Sequence, residues 1–168
     1  IDTSVLNFEV FIANYLDEIR YELIDGELID LEPTGPHEQV TGLINRKLNV
    51  AIDLLNLPWF IPMKCLIKPL GANSAFRPDI AILDRTALVN EPLWKTEPVI
   101  TLGNSVKLVV KVVSTKRYSG STKQPVITIY QLVEGVYQRE QFRGSECLIS
   151  PTFPDLSLSA EQVFAAGE

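Results

Sequence analysis

Apolar side chains recur along this chain with two periods, and the places where the period changes mark its elements. Phe8, Phe11, Ile12 and Tyr15 follow helical spacing behind Asn7, a competent N-cap, so a short amphipathic helix opens the pattern with an aromatic stripe for the core. Tyr21-Glu22-Leu23-Ile24 and Glu27-Leu28-Ile29 flank Asp25-Gly26, the dipeptide favoured in a two-residue type I′ turn, and predict a β-hairpin. Leu31 to Pro36 reads as loop. Pro36 then sits where a first helical residue is tolerated, Glu38 adds favourable charge to that turn, and Val40, Leu43, Ile44, Leu48, Ala51, Leu54 and Leu55 mark one face of a long helix that Leu57-Pro58 ends.

Beyond that helix the period shortens. Trp59 to Ile61, Met63 to Lys68 and Phe76 to Leu83 read as strands, with Asp84-Arg85 closing the last of them. Glu91 to Lys95 suggests one helical turn. Val106 to Val113 is apolar on both parities, the mark of a central strand covered on both faces. Val126 to Leu132 and Val136 to Phe142 pair across Glu134-Gly135 as a second hairpin, and Ser159 caps a short helix carrying Val163 and Phe164. The order predicts a mixed α/β (α+β) fold with helices packed on a central sheet.

At 168 residues one compact domain with a real core is expected, and 46% hydrophobic with 21% charged residues is the balance of an ordinary globular protein. No apolar run is long enough to span a bilayer and no signal peptide is visible, so the expectation is a cytoplasmic protein without a membrane partner. Cys65, Cys147 and the single His37 do not form a zinc pattern; two buried free thiols in a reducing compartment are expected. A formal charge of −6 argues against a protein that coats nucleic acid through a basic surface, yet it is compatible with a metal-dependent nuclease, whose bound cation reverses the local sign.

Two polar residues interrupt apolar strands. Asp79 follows Arg77-Pro78 at the mouth of a strand, where ligands commonly bind beside α/β sheets; a turn aspartate capping local N–H groups is the alternative. Lys111 lies within Leu108-Val109-Val110-Lys111-Val112-Val113, where a charge is costly unless paired or aimed into a polar cleft. On an edge strand such a lysine guards against aggregation, which the residues alone slightly favour; on a central strand it could pair with Asp79 across the sheet.

The string Tyr21-Glu22-Leu23-Ile24-Asp25-Gly26-Glu27-Leu28, then Arg77-Pro78-Asp79-Ile80-Ala81-Ile82-Leu83, then Leu108-Val109-Val110-Lys111-Val112-Val113-Ser114-Thr115 resemble, in that order, the three hallmark blocks of the Uma family, which has a restriction-endonuclease-like core of the PD-(D/E)XK type. Ser150-Pro151-Thr152-Phe153-Pro154-Asp155-Leu156 is similar to its closing segment. The resemblance implies an endonuclease that hydrolyses double-stranded DNA with Mg²⁺ or Mn²⁺, often as a homodimer. It casts Asp79 as a metal ligand, Glu27 or Glu22 as accessory acids with Glu27 the second ligand, and Lys111 or Lys116 as the cationic helper; His37 and Glu38 could approach the same cleft.

Two departures from the family pattern stand out. The family places a glutamate where this chain has Lys111, and a cation cannot donate oxygen ligands. The family also follows Ser114-Thr115 with a charged helix and a strand, whereas only Lys116 to Pro125 precede Val126 here. A helix-strand segment is therefore expected to be missing between about 114 and 121, either lost from the protein or skipped by consecutive numbering. A fold without catalysis, kept for protein interaction or dimerisation, is the alternative function.

Overall fold

The structure is a computed structural model, and it describes residues 5–113, 125–133, 136–148 and 150–168. Helix α1 (Phe8–Tyr15) starts where the Asn7 side chain accepts a hydrogen bond from Val10 N–H at 2.8 Å, and it turns Phe8 and Phe11 inward. Strands β1 (Tyr21–Ile24) and β2 (Glu27–Asp30) form the hairpin, closed by Asp25 and Gly26 at φ 49° and 83°, the two left-handed residues that a type I′ turn requires.

Helix α2 (Gly35–Leu55) begins one residue before Pro36, because Thr34 is the cap and accepts from His37 N–H at 3.3 Å. Its buried stripe runs Val40, Ile44, Leu48, Ile52 with Thr41 beside it. The expected continuation through Leu54 and Leu55 is corrected: these are 81% and 48% exposed, since the i, i+4 row leads from Leu48 to Ile52. Asn56, in the left-handed conformation at φ 50°, ends the helix.

The remaining strands are β3 (Trp59–Phe60), β4 (Leu66–Ile67), β5 (Ile80–Asp84), β6 (Val99–Ile100), β7 (Val106–Val113), β8 (Val126–Val133) and β9 (Val136–Phe142), followed by α3 (Ala160–Ala165), whose Ser159 and Gln162 form a capping box. The strand expected from Phe76 is split. Ala75 and Phe76 bridge to Leu23 and Ile67, and Pro78, which has no N–H to give, precedes a shorter β5. A 3₁₀ turn at Ala87–Asn90 precedes the stretch where one helical turn was expected, Glu91 to Lys95, and the turn itself forms slightly later, closed by Thr96 and Glu97 N–H donating to the Leu93 carbonyl.

The main sheet has the order β3-β5-β7-β8-β9 and is antiparallel throughout; parallel pairing among the described strands is confined to β4 with β6. Strand β7 is third of five. Lys111 therefore does not guard an edge, and that expectation is corrected. Leu108, Val110 and Val112 point from β7 into the large core, where they meet the α2 stripe, Ile80, Ile82, Ile127 and Ile129. The opposite face is covered at one end by a smaller cluster of Cys65, Ala81, Leu83, Leu88, Ile100 and Val106, with Val109 partly buried against it. The register shift at Ile82/Leu83 accounts for Val106 lying on this side although it shares parity with Leu108. A third cluster unites α1 with the hairpin through Phe11, Leu23, Leu66 and Val99. The hairpin turn at 134–135 and the segment expected to be missing between about 114 and 121 lie outside the described residues.

Candidate functional site

Three elements converge on one carboxylate. The pairing of Ile80 with Val110 carries Asp79, one residue earlier, toward the far end of β7, where its Oδ2 accepts from Val112 N–H at 2.7 Å. Its Oδ1 lies 2.9 Å from Nε2 of His37 in the first turn of α2. The side chains of His37 and Asp79 are only 16% and 20% exposed, so the bond is largely shielded from water. His37 itself is held by the cap at Thr34, and its carbonyl accepts from the Thr41 hydroxyl at 3.1 Å.

A cleft of about 700 Å³ opens beside this pair, lined by Glu22, His37, Glu38, Asp79 and Lys111 among others. Glu22 is 4% exposed, and its Oε2 accepts from Arg77 N–H at 3.1 Å. Glu38 is exposed on the rim. Glu27 is not brought to the cleft: it is exposed at the turn end of the hairpin, paired with Ile24, so it shares no pocket with Asp79. Lys111 projects from the open face of β7 and has no ion pair within 4.0 Å among the described residues; the pairing with Asp79 across the sheet does not form. Lys116 lies outside the described residues.

Arg77 is the participant that sequence reasoning missed. Its Nε donates to the Tyr21 carbonyl at 2.7 Å and one Nη donates to the carbonyls of Tyr15 and Leu16, each at 2.8 Å. Burial lowers its pKa, opposed by the neighbouring Cys65, Glu22 and Asp17, and the three carbonyls satisfy a guanidinium that is 8% exposed. It fixes the floor of the cleft to the N-terminal elements. A charged residue directly before Pro-Asp in an apolar context was the available signal.

The donor set does not fit a hard divalent cation, which needs about six oxygens in a tight shell. Each Asp79 oxygen is already engaged, Glu22 is held by the Arg77 backbone, and Lys111 brings an ammonium group to the same wall. Among the described residues, no group of three or more His, Cys, Asp and Glu side chains is close enough to hold a metal ion. No helix among them is long and apolar enough to cross a membrane.

Residues 9–120, which are 112 of the 168, match the family model described as "Uma2: Putative restriction endonuclease". No curated protein matches the chain. Among solved structures the chain is similar to one described as "a putative nuclease belonging to DUF820" from Anabaena variabilis ATCC 29413, with a TM-score of 0.64 and 14% identity, covering 97% of this chain and 99% of that one. At that identity the likeness shows the fold, a nuclease fold, and no more.

Proposed function

We infer that this chain, which belongs to the Uma2 family of restriction-endonuclease-like proteins, keeps the nuclease cleft but no longer performs metal-dependent cleavage, and serves as a binding module. The family suggests a nuclease acting on DNA, and restriction-endonuclease-like families generally use divalent metals. One observation supports the loss of cleavage: both oxygens of Asp79 are committed to His37 and Val112 N–H, while Lys111 stands on the same wall where the family pattern has a carboxylate. An ammonium there repels a divalent cation through the field that a carboxylate would use to attract it.

The test is a plasmid-nicking assay with Mg²⁺ or Mn²⁺, run beside Asp79→Ala. Equal, background-level nicking by both proteins is expected, with no heat of Mn²⁺ uptake in calorimetry. Lys111→Glu should then gain measurable Mn²⁺ binding. Metal-dependent nicking that Asp79→Ala abolishes would overturn the inference.

A second reading, an active endonuclease, is favoured by Glu22 lining the same cleft as Asp79. There Asp79 and Glu22 would supply oxygens and Lys111 or Lys116 the helper cation, and the same assay decides. Self-association as a homodimer and a cytoplasmic location are supported by the resemblance and by two free cysteines respectively; sedimentation at micromolar concentration tests the former.

A further inference from the structure

A second cavity, about 710 Å³, lies on the open face of the sheet and shares Glu22, Arg77, Pro78 and Lys111 with the cleft. Its walls are apolar: Leu70, Phe76, Leu102, Val109 and Tyr130 contribute, and Leu70, Leu102 and Phe76 are 73%, 43% and 37% exposed. That volume and lining are those of a small-molecule site, in which a few polar groups orient a mostly apolar ligand.

The charges at the junction decide which ligand. Glu22 and Arg77 are both buried and oppose one another, so they leave no net charge there. Lys68, also on the wall, donates to the carbonyls of Pro69 and Ala72 and lies over the Phe8 ring. The other lysine of β7, Lys107, has a carboxylate partner, Asp84, at 3.8 Å. Neither Lys68 nor Lys111 has a carboxylate partner among the described residues, but the Lys68 ammonium is taken up by two carbonyls, which leaves Lys111 as the cation presented to a ligand.

The backbone of this wall argues against an extended peptide as the occupant. Leu66, Ile67 and Lys68 donate their N–H groups to Pro98, Phe76 and Ile100, Phe76 donates to Ile67, and Thr101 and Leu102 donate to Glu91. These N–H groups are therefore not offered to an added strand, which favours recognition through side chains.

We propose that this groove binds a single-chain amphipathic anion, with its hydrocarbon body between Leu70, Phe76, Leu102 and Val109 and its headgroup at Lys111. The site is independent of whether the neighbouring cleft cuts DNA.

Titration calorimetry of the full chain with sodium dodecanoate tests it, with dodecan-1-ol as the uncharged counterpart. Saturable binding of one dodecanoate per chain is expected, and both the alcohol and the Lys111→Met variant should bind about tenfold more weakly, the loss of one charge-assisted contact. Val109→Asp, which sets a like charge under the chain, should reduce dodecanoate binding further than alcohol binding. The same protein should not sediment with phosphatidylglycerol vesicles, which separates a monomeric ligand from a lipid surface. No binding, equal binding of acid and alcohol, unchanged affinity in Lys111→Met, or co-sedimentation with the vesicles would each overturn the proposal.

Discussion

Strand β7 presents alternate residues to two sides of the sheet, and the two sides meet opposite fates. Leu108, Val110 and Val112 are sealed under α2 in the largest core cluster. Val109 and Lys111, their immediate neighbours, line the apolar groove, and Lys111 also lines the polar cleft. One strand thus carries the stability of the fold on one parity and its binding chemistry on the other. A substitution's cost should depend on which parity it strikes more than on the residue type removed.

The sharpest test of that contrast is Leu108→Ala against Lys111→Ala. The first empties a buried site and should cost about 3 kcal/mol, whereas the second removes an exposed side chain and should stay within about 0.5 kcal/mol; urea denaturation reads both. Comparable losses would erase the distinction between the faces.

Asp79→Ala comes next in size. It strands the Val112 N–H and breaks the bond to His37, so about 2 kcal/mol should be lost in the same measurement. A neutral result would mean that the carboxylate does not join the strand ends.

A smaller effect is expected where the other β7 lysine is paired. Burial raises the pKa of Asp84, but the Thr86 hydroxyl and N–H and the nearby Lys107 outweigh it, so the net shift is downward. A depressed carboxylate stabilises above its unfolded pKa, and that contribution disappears as pH falls through the folded value. Asp84→Asn should therefore cost about 1 kcal/mol at neutral pH, with wild type and variant converging on acidification. A gap that stays constant with pH would remove the electrostatic part of the account.

The last test costs the fold nothing and probes the cover of the open face. Burial raises the Cys65 thiol to about 12, while Cys147 is exposed, correcting the expectation that both thiols are buried. A disulfide reagent at pH 8 should titrate one thiol per native chain and two in guanidinium. Two rapid native equivalents would show that the cluster around Cys65 opens readily.

Much of this was legible in the sequence because the signals were local. Asp25-Gly26 specified its turn, Asn7 and Ser159 specified their caps, and the both-parity apolar run of β7 marked a central strand. The same run also carried Lys111, and edge protection was the competing explanation; only the strand order could decide between them. Asp79 was visible as a charge at a strand mouth, and its partner His37 came from a helix 42 positions away, which periodicity does not connect. Glu27 and Glu22 looked alike in sequence and share one face of the hairpin, but Glu22 lies under the Arg77 backbone whereas Glu27 stands at the turn end in water. Arg77 was unread because its partners are main-chain carbonyls, which carry no sequence signature.

That guanidinium also sets how the N-terminal third could come apart. Since it grips the carbonyls of Tyr15, Leu16 and Tyr21 together, it clasps both sides of the connection between α1 and β1. A protease nick at the exposed residues Asp17 to Ile19 would leave both cut ends tethered to the same cation, and the severed pieces would stay assembled until Arg77 itself let go.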